Sequence, residues 1–438
     1  MLIVAISCKR PLLDGMRVSL ATVDGLLIGR GTGSPVASLE RLLVLTIDDD
    51  AMSSRHTALR RKLGGWELED LGSKNGTFVN GTAQVRTMLK DGDVIEMGAT
   101  MLLFCDASSS DAAALGPTIL DLRREDPSNQ PPGFRTLAPA MESLLSEARR
   151  MAAQDVPVLV RGESGTGKEL MARAFHQLSR RGGEFVPVNC GALPRSLIES
   201  ELFGFRNGAF SGAREDREGL ARSAHRGTLF LDEVAELPTE SQVALLRLLQ
   251  EGEVRPVGSD QTFYVDVRVI AATHQDLVAR VAAGDFRNDL YARLAGFQLP
   301  LPPLRERRED IGLLTAALLR KRGAQAANVT LHREAARALL RYPYPLNVRE
   351  LEQALGVAVG LAEGGQILPK HLPALIRDYQ AGNANSRRAK DEATRGQVVA
   401  ALAETGGNMS AAARLLGKAP VQIQRWCRRL DIDPKNYK

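Results

Sequence analysis

Short apolar or alternating runs, each closed by a turn dipeptide, fill residues 1–106. Runs of this length, separated by Gly, Asn and Asp, are typical of β-strands joined by tight turns. Because the runs recur at close intervals, the pattern predicts an all-β sandwich. The predicted strands cover residues 2–6, 18–23, 26–28, 42–47, 66–68 and 101–104, and the turns include Asp14-Gly15, Asn75-Gly76 and Asp91-Gly92.

Residues 107–132 change character, since Ser, Asp and Pro dominate and no period persists. We interpret this stretch as a linker, in which only the apolar patch at 119–122 could dock on a neighbour. Beyond it, residues 133–377 alternate helical periods with buried-type apolar runs, which favours an α/β domain with a parallel sheet. The predicted strands cover 156–160, 185–188, 228–231 and 267–272, and the part from about Ile311 is helical.

A second polar linker covers residues 378–393, and a small basic domain follows at 394–438. Apolar periodicity over 397–403 ends at Gly406-Gly407, and two short helices are predicted at 410–416 and 421–430, around a turn at 417–420. Two helices around a Gly-containing turn form a helix-turn-helix. From Ser386 onward the chain holds 11 Lys and Arg against 5 Asp and Glu, which suits a nucleic-acid partner.

Overall composition narrows the class of protein. The length of 438 residues suggests about three domains, and 44% hydrophobic residues supply ample cores. Four cysteines lack metal-ligand spacing, so we expect reduced, buried thiols. The start lacks the basic region of a signal peptide, and no apolar run approaches the roughly 18 residues of a membrane helix. We therefore expect a cytoplasmic protein with no membrane partner.

A glycine-rich loop follows the predicted strand at 156–160 and opens a helix. This is the context that a phosphate-binding P-loop requires, because glycines let backbone N–H groups close around phosphate oxygens. The lysine should reach the β and γ phosphates of ATP, and the next residue is Glu169 instead of the usual Ser or Thr. The loop consists of Gly162, Glu163, Ser164, Gly165, Thr166, Gly167 and Lys168.

An apolar run at 228–231 ends in the pair Asp232-Glu233. Ligands bind at the carboxyl edge of such sheets, where these carboxylates emerge. We expect Asp232 to hold Mg²⁺ and Glu233 to act as the base that orients water for ATP hydrolysis.

Between these two motifs lies the sequence GAFSGA, formed by Gly208, Ala209, Phe210, Ser211, Gly212 and Ala213. Small residues around one aromatic side chain indicate a mobile loop with a single apolar anchor. Together with the flanking motifs, the arrangement resembles bacterial enhancer-binding proteins, AAA+ ATPases that activate sigma-54 RNA polymerase. The resemblance implies that this loop contacts sigma-54, with Ser211 in place of the usual Thr.

The same resemblance implies further roles. Asn189 corresponds to the residue that restrains the catalytic Glu, and Thr273 to the first sensor, followed by His274 where Asn is usual. Arg287 and Arg293 correspond to arginine fingers given to the adjacent subunit, which implies a homo-oligomeric ring, most simply a hexamer. Arg349 corresponds to the second sensor, with Leu346 where Gly normally precedes Asn347.

The N-terminal block resembles a forkhead-associated (FHA) domain in the segments around Gly29-Arg30, Ser53–His56, Asp70–Thr77 and Asn80-Gly81. Such domains bind phosphothreonine peptides, so a phosphothreonine protein or its kinase is the implied partner. Arg30 supplies a charge-assisted phosphate contact, and His56 and Asn80 shape loops. The remaining candidate ligands are Ser53, Ser54, Lys74 and Asn75.

The C-terminal block resembles the Fis-type DNA-binding tail of the enhancer-binding family in Gly406–Gly417. Its last predicted helix presents polar residues that can read base edges or contact phosphates of double-stranded DNA. Residues Ile423, Trp426, Cys427 and Leu430 of that helix could pack inward. The candidate DNA contacts are Gln422, Gln424, Arg425, Arg428 and Arg429.

Two other classes of protein stay open. One is a DNA-bound regulator whose ATPase has lost the sigma-54 contact, which the near-complete GAFSGA sequence disfavours. The other is a phosphopeptide adaptor with a structural ATPase, which the intact Lys168, Asp232, Glu233, Arg287 and Arg293 disfavour. An ATP-driven activator that binds upstream DNA remains the leading interpretation.

Overall fold

The computed structural model describes residues 1–32, 36–39, 41–106, 119–124, 131, 133–209, 214–379, 395–416, 423–424, 426–427 and 432–434, with the side chains of 36–39 and 410 left out. The chain divides into two compact units, Met1–Arg377 and Asp378–Lys438. The larger unit contains both an N-terminal β-sandwich and an α/β body, so contacts between these two parts belong to one packed unit.

Two sheets face each other in the N-terminal sandwich and bury Leu2, Leu26, Leu59 and Leu102 between them. One sheet has the order β13-β2-β1-β12-β11-β8-β9, and the other has the order β10-β7-β6-β3-β5-β4. Neighbours are antiparallel except β3 and β5. The strands are β1 (Leu2–Ser7), β2 (Met16–Val18), β3 (Gly25–Arg30), β4 (Val36–Leu39), β5 (Leu42–Ile47), β6 (Thr57–Lys62), β7 (Gly65–Asp70), β8 (Thr77–Val79), β9 (Thr82–Gln84), β10 (Arg86–Met88), β11 (Val94–Met97), β12 (Thr100–Phe104) and β13 (Ile119–Asp121).

The apolar patch at 119–122 docks on the sandwich. Ile119–Asp121 forms the edge strand β13, antiparallel to β2, and Leu122 is buried. The end of the predicted linker is therefore part of the first sheet, because its apolar residues find unpaired backbone groups at the edge of β2.

Five parallel strands form the centre of the α/β body: β14 (Val158–Arg161), β15 (Phe185–Asn189), β18 (Thr228–Asp232), β21 (Arg268–Thr273) and β22 (Phe297–Pro300). Their order in the sheet is β15-β18-β21-β14-β22. Parallel strands are covered on both faces, and β21 (Arg268–Thr273) shows this, since all six of its residues are buried and its centre, 269–272, is apolar. The last strand, β22, is absent from the sequence prediction.

Helices cover this sheet and connect its strands. Two small hairpins interrupt them: β16 (Gly204–Phe205) with β17 (Arg217–Glu218), and β19 (Glu253–Val254) with β20 (Phe263–Tyr264). The helices are α1 (Pro139–Ala152), α2 (Lys168–Ser179), α3 (Arg195–Phe203), α4 (Leu220–Ser223), α5 (Thr239–Glu251), α6 (Leu277–Ala282) and α7 (Asn288–Leu294).

A helical subdomain follows the last strand, as the sequence predicts. It consists of α8 (Ile311–Lys321), α9 (Arg333–Arg341), α10 (Asn347–Leu361) and α11 (Ala374–Arg377), with the short strand pair β23 (Thr330–Leu331) and β24 (Gln366–Ile367). We call residues 305–377 the lid.

The C-terminal unit contains a helix over 395–404 and a second helix at Met409–Leu415, and residues 423–424 and 426–427 are also helical. Ile423 and Cys427 are buried beside Val398 and Leu402, and Trp426 packs against this cluster. The inward positions predicted for the last helix are thus correct for these residues, whereas Leu430 lies outside the described part.

The predicted fold class is confirmed for the β-sandwich and the parallel α/β body. All four cysteines are free and buried. Among the described helices, none combines the length and apolar character needed to span a bilayer.

Candidate nucleotide site and its surroundings

The glycine-rich loop joins the end of β14 to the start of α2, as predicted. Gly165 and Gly167 have φ of 79° and 102°, a left-handed region that side chains with a Cβ rarely enter. Helix α2 begins at Lys168, so its free N–H groups and partial positive charge point toward this loop. The local geometry is that of a phosphate cradle.

Lys168 is 7% exposed and lies across the loop. Its Nζ donates to the carbonyl of Gly162 at 3.1 Å and lies 3.5 Å from Oε1 of Glu233. The hydroxyl of Thr166 donates to the carbonyl of Glu163 at 2.9 Å, which closes the loop on itself. The lysine therefore stands between the phosphate cradle and the acidic pair.

Asp232 ends β18, and Glu233 follows it with φ of 53°, in the left-handed region. A non-glycine residue there costs of order 1 kcal/mol or more, a form of strain that is common at functional sites. Burial raises the pKa of Asp232, and the negative charge of Glu233 adds to that shift.

His274 holds the catalytic candidate Glu233. Its Nδ1 lies 2.7 Å from Oε2 of Glu233, and its backbone N–H lies 3.4 Å from the same atom. Asn189, the predicted restraint, instead accepts from the N–H groups of Gly191 and Ala192, each at 3.0 Å. The sequence marks His274 only as a departure from the family pattern, because its contact depends on β21 lying beside β18.

Thr273, the predicted first sensor, is fully buried at the end of β21. Its hydroxyl accepts from the N–H of Gln275 at 3.0 Å, and its carbonyl accepts from the N–H of Gly162 at 3.2 Å. Thr273 therefore ties the sensor strand to the first residue of the glycine loop.

The lid grips the glycine loop through polar contacts that no motif reveals. Arg305 makes two hydrogen bonds to the carboxylate of Glu163, at 2.8 and 2.6 Å, and this pairing lowers the pKa of Glu163. Buried Asn347 donates to Glu163 at 3.2 Å and to the carbonyl of Ser164 at 2.9 Å. Such pairings connect residues more than 140 positions apart in sequence.

Arg349, the predicted second sensor, donates to Oγ of Ser164 at 3.0 Å. The neighbouring N–H of Val348 donates to the carbonyl of Gly165 at 2.9 Å. Leu346, where the family has Gly, is 56% exposed and leaves these contacts intact. The start of α10 therefore lies directly on the glycine loop.

A cavity of about 830 Å³ lies over the glycine loop, between the sheet edge and the lid. Its polar lining includes Lys168, Asn189, Asp232, Glu233 and Arg349. The lid contributes an apolar wall of Leu313, Leu314, Ala317 and Leu318 from α8. A polar phosphate region joined to an apolar wall suits a purine nucleotide.

The two candidate arginine fingers lie on the exposed surface. Arg287 pairs with Asp289 at 2.6 Å, and Arg293 donates to the carbonyl of Leu249 at 3.4 Å. Neither is among the described residues that line the cavity of their own chain.

The GAFSGA sequence lies between β16 and β17, which pair as a small hairpin of the α/β body. Arg206 pairs with Asp216 across its base, and the N–H of Asn207 donates to Asp216 at 2.8 Å. Gly208 has φ of 84°, and Ala209 lies against Gly258 of the β19–β20 hairpin. Phe210, Ser211, Gly212 and Ala213 lie outside the described residues.

The FHA-type candidates gather at one end of the sandwich. Arg30, at the end of β3, is exposed, and its N–H donates to the carbonyl of Ser53 at 2.9 Å. Oγ of Ser53 accepts from the N–H of Lys74 at 3.0 Å, and Asn75 donates to the carbonyl of Ala51 at 2.8 Å. Ser54 and Lys74 are exposed on the same loops.

His56 and Asn80 shape the loops, as the resemblance implies. His56 is fully buried, accepts from the N–H of Ser53 at 3.1 Å and contacts the carbonyl of Gly76 at 3.2 Å. Asn80 has φ of 52° and binds Asp93 at 2.7 Å.

Of the candidate DNA contacts, Gln424 is described by the structure, where it is helical and exposed. Gln422, Arg425, Arg428 and Arg429 lie outside the described residues.

Family models match three segments of the chain. The Sigma-54 interaction domain matches residues 135–300, the AAA+ ATPase lid domain matches 305–389, and the FHA domain matches 26–98. These segments follow the body, lid and sandwich seen in the structure, although the lid model extends past the larger unit.

Curated relatives and solved structures resemble the chain over its ATPase region. Response regulator protein PilR of Pseudomonas aeruginosa is 44% identical over 331 residues, which cover 72% of this chain and 74% of PilR. Transcriptional regulatory protein ZraR of Salmonella typhimurium is 46% identical, covering 64% of this chain and 65% of ZraR. NtrX from Brucella abortus in complex with ATP aligns at a TM-score of 0.51 with 31% identity, over 68% of this chain and 69% of NtrX.

Proposed function

The chain belongs to the family of sigma-54-dependent transcriptional activators with an AAA+ ATPase domain, and on that basis we propose how it acts. ATP hydrolysis between the body and the lid moves the GAFSGA loop, which remodels sigma-54 RNA polymerase at a closed promoter. The C-terminal unit binds upstream DNA, and the FHA domain controls the ATPase through a phosphothreonine partner. These activities place the protein in the cytoplasm.

A short stretch of chain joins the cavity to the loop, and this observation carries the proposal. Asn189 lines the cavity at the end of β15, helix α3 (Arg195–Phe203) follows, and the hairpin base begins at Gly204. The nine-residue helix spans about 14 Å. Because a helix is stiff, a shift at its cavity end is transmitted to the hairpin that bears Phe210.

The side chains in the cavity support ATP hydrolysis. Lys168 stands where it can neutralise the β and γ phosphates, and Glu233 can accept a proton from the attacking water. Asp232 and its acidic neighbour supply the oxygen ligands that Mg²⁺ prefers, and the half-buried carboxylate of Asp232 is the proposed ligand. Bound Mg²⁺ would neutralise phosphate charge.

The exposed positions of Arg287 and Arg293 support a role in the neighbouring subunit. We infer a ring, most simply a hexamer, in which these arginines complete the adjacent site. Arginines supplied in trans are worth roughly 10³–10⁵ in rate. The specific ATPase rate should therefore rise with protein concentration, and a rate independent of concentration across the assembly range contradicts the ring.

The sandwich end formed by Arg30, Ser53, Ser54, Lys74 and Asn75 suits a phosphothreonine. Two exposed cations flank hydroxyl and amide groups on loops that side chain–backbone hydrogen bonds hold together. Anions bind strongly to such charge-assisted donors. The phosphorylated partner is another protein or another subunit.

The C-terminal unit supports DNA binding through its basic excess and its helices. Binding should weaken steeply with salt, because neutralised phosphates release counterions. Arg428→Ala and Arg429→Ala are expected to lower the slope of affinity against salt, measured by titration of labelled upstream DNA. A slope close to zero in the unaltered protein contradicts a DNA-binding role.

Transcription in a purified system tests the activator role. The protein should stimulate sigma-54 polymerase with hydrolysable ATP and leave polymerase carrying a different sigma factor unaffected. Phe210→Ala should hydrolyse ATP and fail to activate transcription. Activation by this variant would exclude the proposed contact, and ATP hydrolysis without any activation by the unaltered protein would favour a regulator that lacks the sigma contact.

A further inference from the structure

Asp14 of the N-terminal sandwich lies between two arginines that come from the ATPase. Its carboxylate is 4% exposed, with one oxygen 2.5 Å from Nη1 of Arg135 and the other 2.6 Å from Nη2 of Arg320. Each guanidinium also donates to a backbone carbonyl of the sandwich part: Arg135 to that of Leu122 at 2.8 Å, and Arg320 to that of Leu12 at 2.6 Å.

The two arginines belong to different parts of the ATPase. Arg135 precedes α1 of the body, whereas Arg320 lies in the last turn of α8 of the lid. Both side chains line the 830 Å³ cavity, together with Leu313, Leu314 and Lys168. Asp14 therefore joins the two parts between which the nucleotide binds.

Other contacts fix the sandwich in this position. The N–H of Leu331 in the lid donates to the carbonyl of Cys8 at 2.8 Å. Gly312 of α8 lies so close to β1 that a Cβ there would overlap the carbonyl of Ala5. On the body side, Arg17 pairs with Glu142 of α1 at 2.7 Å. The sandwich thus touches both sides of the cavity, but of these contacts only the Asp14 cluster reaches its lining.

We propose that Asp14 is a positioning residue of the nucleotide site, contributed by the FHA-bearing part of the chain. Its carboxylate holds Arg135 and Arg320 in place and keeps lid and body at the spacing that binds the nucleotide. A carboxylate buried between two guanidiniums is costly to desolvate, and removing one partner of such a cluster leaves the remaining charges unpaired. Docking of the sandwich therefore contributes to nucleotide affinity.

Nucleotide binding to the full chain tests this role. The affinities for a fluorescent ADP analogue and for a slowly hydrolysed ATP analogue are measured by equilibrium titration, with steady-state ATPase alongside. Asp14→Asn keeps the shape and removes the charge. We expect the Kd for both nucleotides to rise roughly 10-fold and KM for ATP to rise to a matching extent, since two charge-assisted hydrogen bonds are weakened. The value of kcat at saturating ATP should stay within about two-fold.

Two matched variants separate positioning from general loosening. Asp24→Asn removes the carboxylate of an exposed pair with Arg41 in the same sandwich, and should leave Kd unchanged. Glu142→Gln breaks a docking pair that does not line the cavity, and should change Kd less than three-fold. Arg320→Gln, at a side chain 33% exposed, should reproduce the effect of Asp14→Asn without destabilising the core. The two changes combined should be no worse than either alone.

The result that overturns the proposal is an unchanged Kd in both Asp14→Asn and Arg320→Gln, or an equal loss in Glu142→Gln. A rise in kcat with KM unchanged would also overturn it, because the sandwich would then restrain turnover instead of supporting binding. Because the readout is nucleotide affinity, a failure here is distinct from a failure of the sigma-54 contact.

Discussion

The two regions that we propose bind phosphate are built in opposite ways. The glycine loop encloses its lysine, which is 7% exposed, under a lid that grips Glu163 and Ser164. The sandwich end presents Arg30, Ser54 and Lys74 to solvent, on segments that hydrogen bonds to Ser53 hold together. Hydrolysis needs a closed site with little water, where charges act strongly. Recognition of a phosphorylated partner needs an open surface that a whole protein can reach.

The enclosed site should give the largest effect of any single change. Lys168→Ala is expected to lower kcat/KM for ATP by about 10³-fold, because a buried cation aimed at phosphate is lost. Steady-state phosphate release measures this. Phosphopeptide affinity should stay the same, and a joint loss of both activities would break the distinction between the regions.

The contact between the sandwich and the lid should respond to pH, because Glu309 lies in a short helical turn of the lid that packs beside β1. Burial raises the pKa of Glu309 to about 7, and the charges of Asp310 and Asp91 add to the shift. Because the folded pKa exceeds the unfolded value, this group costs no stability at low pH and increasingly destabilises the fold as pH rises from about 4.5 to 7. The loss should reach at most about 3 kcal/mol.

Glu309→Gln tests that prediction, since it removes the ionisable group and keeps the shape. Denaturant unfolding at pH 5 and pH 8 should show a smaller pH-dependent loss in the variant than in the unaltered protein. Equal losses in both proteins would show that Glu309 does not cause the dependence.

The open region should give a smaller effect than the enclosed one. Arg30→Ala is expected to weaken binding of a phosphothreonine peptide by roughly 10- to 100-fold, since charge-assisted hydrogen bonds are lost. Fluorescence anisotropy with a peptide library and its unphosphorylated counterpart measures this, and Arg41→Ala, elsewhere on the sandwich, is the control. Equal affinity in Arg30→Ala and the unaltered protein would exclude this end as the phosphate site.

The smallest effect concerns the way Glu233 is held. His274→Ala should lower kcat by about three- to ten-fold, because the carboxylate of Glu233 loses its hydrogen bond to the half-exposed His274 and is less well oriented. Asn189→Ala should lower it less, because Asn189 binds its own turn. If Asn189→Ala lowers kcat more than His274→Ala does in the same ATPase assay, Asn189 and not His274 is the residue that restrains Glu233.

Short sequence motifs predicted two parts of the nucleotide site, the glycine loop and the strand that ends at Asp232. The glycine loop and the Asp232-Glu233 strand were found because backbone geometry and chemistry coincide within a few residues. Strand β14 begins two residues later than predicted, at Val158, and β22 was missed because its four residues lie in a Pro-rich stretch without a clear period.

Contacts between distant segments could not be predicted in this way. Asp14, Arg135 and Arg320 are separated by 121 and 185 positions and share no spacing pattern. His274 reaches Glu233 only because β18 and β21 are neighbours in the sheet. The sequence therefore predicted candidate residues for the chemistry, and the structure identified the contacts that hold those candidates.

The central claim is that ATP hydrolysis in the enclosed site drives remodelling of sigma-54 through Phe210. Isomerisation of sigma-54 on a pre-melted promoter probe tests it directly, without knowledge of the upstream DNA site. The account predicts an ATP-dependent shifted complex with the unaltered protein and none with Phe210→Ala, although the variant still hydrolyses ATP. No shift with an active ATPase, even after a phosphopeptide is added or residues 1–132 are removed, would contradict it.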